Sequence, residues 1–174
     1  LGDAATTALF AGAGLAQQLA QPPQHMVDER HVTRLHAELQ RVLGTAMARE
    51  ISRDAGRRTG DYLLAHRIPR AAQAVLKRLP APLAARALLS AIRGHAWTFA
   101  GSGDFTARAG HPVVLTIRHN PLCRGARLAQ PACDFYAATF ERLFRELVHP
   151  QTCVVETDCE ACGDPMCRFE LRWR

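Results

Sequence analysis

The chain has 174 residues, 48% of them apolar and 22% charged, the proportions of an ordinary globular domain, which exclude a disordered or fibrous chain. Its formal charge of +6 favours an acidic partner, yet the arginines are scattered among acids and interleave with no aromatic residues, a solvated basic surface that excludes a nucleic-acid groove. No run reaches the eighteen or more apolar residues of a membrane span, and the opening lacks the layout of a signal peptide, so the expectation is a cytoplasmic protein folded as one domain over residues 1–174.

Residues 3–20 predict a helix with Asp3 as its cap, stopped by Pro22 and Pro23. Residues 28–43 place Val32, Leu35, Leu39 and Val42 on one face, and a second amphipathic run covers 45–66 after Gly44. Inside that run Gly56 and Gly60 stand four apart. Each costs about 1 kcal/mol relative to alanine in a helix interior, so a second helix or a flat ligand is expected to approach that face closely. Shorter helices fit 69–79 and 82–93, where Pro69, Pro80 and Pro82 act as start and break signals.

At His95 the pattern changes, dividing a helical part over about 3–94 from a mixed part over 95–174. "HAWTFAGSGDF" is aromatic and glycine-rich, and "HPVVLTIRH" alternates Val113, Leu115 and Ile117 against Val114, Thr116 and Arg118; both read as strands. Helical spacing returns over 131–148, with Tyr136, Phe140, Leu143, Phe144 and Leu147 as an apolar stripe. "CRFELRW" then places Cys167, Phe169, Leu171 and Trp173 on one side of a last strand. The fold class is α+β, with helices packed on an antiparallel sheet.

Four of the six cysteines fall in "CVVETDCEACGDPMCRF". A disulfide framework does not suit a chain of this size without an export signal. The spacing C-x5-C-x2-C-x4-C matches neither common ferredoxin pattern. A redox pair at Cys159 and Cys162 should open a helix, whereas Gly163-Asp164-Pro165 opens a turn. A metal knuckle fits better, because that turn folds the chain back and lets Cys159 and Cys167 face one ion. Cys133, at the start of the 131–148 helix, is a good thiolate donor, and Glu156 offers a carboxylate from the strand entering the knuckle.

Cys133 followed at a distance by Glu156-Thr157-Asp158-Cys159 and then Cys167 resembles the metal site of the 4-vinyl reductase domain family. "AGRRTGDYLLAHRIP", "HAWTFAGSGDF", "NPLCRG" and "GDPMCRFE" extend the resemblance to members of that family in bacteriochlorophyll biosynthesis. The resemblance implies zinc held by Cys133, Glu156, Cys159 and Cys167, with Cys123, Cys153 and Cys162 left without a metal role. Four protein ligands close such a site, so the zinc would be structural. It further implies a fold similar to the TRAPP vesicle-tethering subunits, a cavity between helices and sheet, and a homodimer.

The function implied is a tetrapyrrole-binding accessory or carrier protein of bacteriochlorophyll synthesis. It would hold a magnesium porphyrin or protochlorophyllide-type pigment for the enzymes of the pathway, at the cytoplasmic face of the photosynthetic membrane. Two alternatives stand beside it. One is an 8-vinyl (4-vinyl) reductase drawing electrons from a separate partner, although no strand-to-helix GxGxxG marks a hydride cofactor. The other is an aromatic-ligand sensor, weakened because no DNA-binding or ATPase segment accompanies the domain. For the pigment, Trp97 and Phe99 would form a stacking floor, His95 would approach the magnesium, Tyr62 and His66 would share a helical face, and Arg67 would pair with a propionate. The competing reading is ordinary core aromatics, a hydrogen-bonded histidine and an exposed arginine.

Overall fold

In the computed structural model, which describes residues 1–174, the elements run α1 (Asp3–Gly12), α2 (Ala16–Ala20), α3 (Glu29–His66), α4 (Arg70–Leu76), α5 (Ala81–Gly94), α6 (Trp97–Ala100), β1 (Asp104–Arg108), β2 (Val113–Arg118), α7 (Asp134–Leu147), β3 (Cys153–Asp158) and β4 (Cys167–Arg172). The strands form one antiparallel sheet in the order β1-β2-β4-β3. Register pairs Val113 with Leu171, Leu115 with Phe169 and Ile117 with Cys167. Strand side chains alternate between faces, so these six share one face, and all are fully buried. The sheet is therefore apolar inside and open outside, where Val155 is 55% exposed.

Helix α7 covers the inner face. Its predicted stripe of Tyr136, Phe140, Leu143, Phe144 and Leu147 is buried in the main core with the inner-face strand residues. Rings of Phe99, Phe105, Tyr136, Phe140 and Phe169 fill the layer between helix and sheet, with centroids 5.1–6.4 Å apart. On its other side α7 meets α3. A Cβ at Gly56 would lie 3.0 Å from the Ala138 Cβ, and one at Gly60 would lie 2.7 Å from the Arg142 Cβ. The expected close approach is thus made by a helix. Helix α3 kinks where expected, at Gly44, whose φ of 71° is a left-handed conformation that costs glycine nothing.

Two local expectations differ. The first segment is two helices rather than one over 3–20, broken at Gly14 (φ 68°), and Gly2 rather than Asp3 occupies the N-cap, with Asp3 in the first turn. Residues 97–100 form a helical turn, and the strand begins at Asp104. Helix α5 carries past Gly94 into this turn through local bonds: His95 Nδ1 lies 2.9 Å from the Ala91 carbonyl, and Thr98 Oγ1 donates to the His95 carbonyl at 2.7 Å. Gly101 (φ 57°) and the tightly packed Gly103, where a Cβ would sit 2.7 Å from the Arg118 carbonyl, then turn the chain into the sheet. Here the two glycines set the boundary, and the aromatic spacing does not.

Candidate metal centre

Four loop and strand ends converge beside the α7 N-terminus. Cys123 lies in the turn after β2, Cys133 at the N-cap of α7, Cys159 between β3 and a 3-10 turn (Glu160–Cys162), and Cys167 at the first position of β4. Their exposures are 7%, 1%, 0% and 0%, and the four sulfurs lie within 4.8 Å of one another. Cys123 Sγ is 3.3 Å from Cys133, 3.9 Å from Cys159 and 3.5 Å from Cys167; Cys133 Sγ is 3.9 Å from Cys159 and 3.6 Å from Cys167. A tetrahedral zinc with Zn–S of about 2.3 Å requires sulfurs roughly 3.8 Å apart. The donor set fits such an ion, and the separations are far too long for disulfides.

The surroundings supply N–H donors to sulfur. The fully buried Asn120 donates its amide N–H groups to Cys133 Sγ at 3.3 Å and Cys167 Sγ at 3.1 Å, and the Glu160 backbone N–H points at Cys167 Sγ at 3.4 Å. Such donors favour thiolate over thiol. Cys159 and Cys167 are held below the ordinary thiol range by hydrogen bonds from Cys123 and then Cys133. Cys133 is pushed well up, first by its contact with the Cys123 sulfur and then by the other two sulfurs and burial. The loop carrying Asn120 is fixed by the Glu160 carboxylate, which accepts from the His119 and Asn120 backbone N–H groups at 2.6 and 2.7 Å. The expected knuckle is present: Gly163 has φ 98°, and Asp164 Oδ2 accepts from the Cys159 N–H at 2.8 Å.

The convergent group differs from the expected donors by one member. Cys123 stands among the sulfurs, whereas Glu156 lies alongside, with Oε2 accepting the Cys133 N–H at 2.8 Å and Oε1 buried without a partner. Burial first and the Cys159 sulfur second push its carboxyl up to about 9. The one sequence signal for Cys123 was its place in "NPLCRG", a turn ten residues before Cys133. Cys153 and Cys162 are exposed and stand apart from the group.

The residues expected at the pigment are not gathered into one pocket. Tyr62, His66 and Arg67 come together on the exposed end of α3, with the two rings 4.8 Å apart and the Arg67 guanidinium 5.9 Å from the Tyr62 centroid. His95 is exposed beyond α5, and Trp97 is 62% exposed. Phe99 instead joins the core rings, and its carbonyl accepts the Tyr136 hydroxyl at 2.8 Å. The helical turn therefore separates Trp97 from Phe99, where a strand would have aligned them. Two clefts of about 290 and 460 Å³ open beside the β1–β2 turn, and neither is lined by any of these six residues.

Residues 113–173, which include the four sulfurs, match the 4-vinyl reductase domain. Over 170 residues the chain is 45% identical to the bacteriochlorophyll synthase 23 kDa chain of Cereibacter sphaeroides, covering 98% of this chain and 81% of the relative. It is 41% identical over 150 residues to the protein of that description from Rhodobacter capsulatus, covering 86% and 70%. Among solved structures, the phenol-responsive sensory domain of the transcription activator PoxR with phenol superposes with a TM-score of 0.61 at 15% identity, covering 86% of this chain and 76% of that one. That likeness is one of fold. A trafficking protein particle complex subunit 3 from Naegleria fowleri, covalently bound to palmitic acid, gives a TM-score of 0.48 at 12% identity over 96% of this chain and 93% of that one.

Proposed function

The chain belongs to the family of the bacteriochlorophyll synthase 23 kDa chain, and from that premise we propose that it is an accessory protein of bacteriochlorophyll synthesis that holds a tetrapyrrole intermediate for the enzymes of the pathway. The observation that carries this reading is identity of 45% spread over 98% of the chain rather than confined to the metal-ligand segment. The ligand is a magnesium porphyrin or protochlorophyllide-type pigment, and the protein works as a homodimer at the cytoplasmic face of the photosynthetic membrane.

The buried sulfur group supports a binding protein over a metal catalyst. Cys123, Cys133, Cys159 and Cys167 would hold zinc with a complete set of protein ligands, and such an ion stabilises the fold without an open position for substrate. Glu156 then serves beside the site, anchoring the Cys133 N–H. This chain's residues bind and shield the pigment; the reduction of a vinyl group, where it occurs, belongs to a partner.

Purified protein mixed with divinyl pigment and reductants, followed by absorbance and product analysis, tests the reading. Saturable binding at one pigment per subunit with no product is expected. Catalytic loss of the vinyl group would make the protein the reductase, and no spectral change at any concentration would remove the pigment altogether.

A further inference from the structure

The two clefts beside the β1–β2 turn share Ala109, Gly110 and His111 and so form one continuous depression. Its narrower part, about 290 Å³, has an apolar wall of Pro82, Ala85 and Trp173, with the His111 ring edge-on to the indole at 5.1 Å. Its wider part, about 460 Å³, opens on the outer sheet face between Arg108 of β1 and Arg168 and Arg172 of β4. Arg86 of α5 closes the apolar end.

Charge across this depression is unbalanced. Arg86, Arg108, Arg168 and Arg172 line it, and Glu170 is the one carboxylate among them. Glu170 is already shared, at 2.9 Å from Arg168 and 2.8 Å from Arg172. The Arg168 Nε–H is buried and has no acceptor. Guanidinium groups from a helix, an edge strand and an inner strand thus converge where a further acceptor is missing, and the aromatic wall adjoins them. Volumes of a few hundred Å³ with an apolar wall and a few polar groups suit a small molecule, and a planar guanidinium matches a carboxylate in two-point contact.

We propose that this depression is a binding site for a flat amphipathic carboxylate, its ring body against Trp173 and Pro82 and its carboxylate among Arg86, Arg108 and Arg168. The site stands on its own chemistry and does not require the ligand to be a tetrapyrrole. It is distinct from the sulfur group and from the exposed Tyr62 and His66 pair.

Fluorescence titration with 1-pyrenebutyrate, and with neutral pyrenemethanol as its uncharged match, tests the site on the intact protein. Wild type should bind the acid at one per subunit and at least about tenfold more tightly than the alcohol, the worth of one charge-assisted contact. Arg108→Ala and Arg86→Ala remove exposed side chains without touching the core; each should bring the acid close to the alcohol's affinity. Trp173→Leu should weaken both probes, and Arg58→Ala, an equal charge change on α3, should weaken neither. Equal binding of acid and alcohol, or acid binding undiminished in both cleft arginine variants, overturns the proposal whatever the pigment assay gives. So does loss of binding to phosphatidylglycerol vesicles in those variants with pyrenebutyrate affinity unchanged, which would make the face a lipid-docking surface.

Discussion

Asn120 spends both amide N–H groups on sulfur while its own Oδ1 accepts the Leu122 N–H at 2.9 Å, so a single buried side chain ties the post-β2 turn to Cys133 and Cys167. Outer-shell donors of this kind typically change metal affinity by about 10–100-fold when removed. Asn120→Ala should therefore retain the fold at saturating zinc and lose affinity by that factor in a chelator competition. Among the cysteines, Cys123→Ser, Cys133→Ser, Cys159→Ser and Cys167→Ser should each lower bound zinc, whereas Cys162→Ser and Glu156→Gln should keep one ion per chain by metal analysis. Metal loss in Glu156→Gln with retention in Cys123→Ser would restore Glu156 as the fourth donor. A separate residue sets an acid limit. Burial pushes the His36 imidazole, packed edge-on to Phe135 at 6.2 Å, down to about 4. A histidine depressed in the folded state favours folding above its unfolded value of about 6.5 and works against it as pH falls below that value. Wild type should lose up to roughly 3 kcal/mol of stability between about pH 6.5 and 4 from this group, and His36→Leu should show a flatter profile by urea unfolding across the same window.

At the scale of elements, the α3–α7 contact depends on two positions without side chains. A Cβ at Gly60 would fall 2.7 Å from the Arg142 Cβ and at Gly56 3.0 Å from the Ala138 Cβ, so neither helix can accept a larger residue without moving apart. Gly56→Val should destabilise by about 1–3 kcal/mol, the usual cost of overpacking, and should lower the melting temperature with zinc still bound. This contact was legible from two glycines set against an otherwise good helical pattern, as were the α7 stripe and the alternation in β2 and β4, where period and burial agree over many residues. Residues 95–100 were not legible. A six-residue aromatic window carries no decisive period, and what ends the helix there is the φ of 57° at Gly101 and the packing around Gly103, which only the folded chain reveals. Cys133, Cys159 and Cys167 could be picked out because turn signals and a helix start flank them. Cys123 could not, because its role depends on where a loop of irregular backbone, pinned by Glu160, comes to rest.

For the whole molecule, stability is unevenly distributed. The main core gathers 21 buried residues from the sheet, α3, α5, α7 and the sulfur group, while Leu9, Leu39 and Ala48 form a separate cluster of three under α1. Regions with few buried apolar contacts open first, so amides of α1 and of α3 before Gly44 should exchange with deuterium well ahead of those in α7 and β2. Comparable protection throughout would show that a partner surface or the rest of a longer chain braces that end. The sulfur group lies at the opposite extreme, joining the β2 exit, the α7 start and the β3–β4 connection at one point, which makes metal binding and folding a single free-energy balance. On this account the ion fixes the scaffold and ligand binding happens elsewhere on it. Zinc-edge X-ray absorption on the purified protein, recorded before and after saturation with divinyl pigment, tests that division directly. Four sulfur neighbours at about 2.3 Å, unchanged by pigment, are predicted; an oxygen or nitrogen neighbour at about 2.0 Å, or a shell that alters when pigment is added, would contradict it.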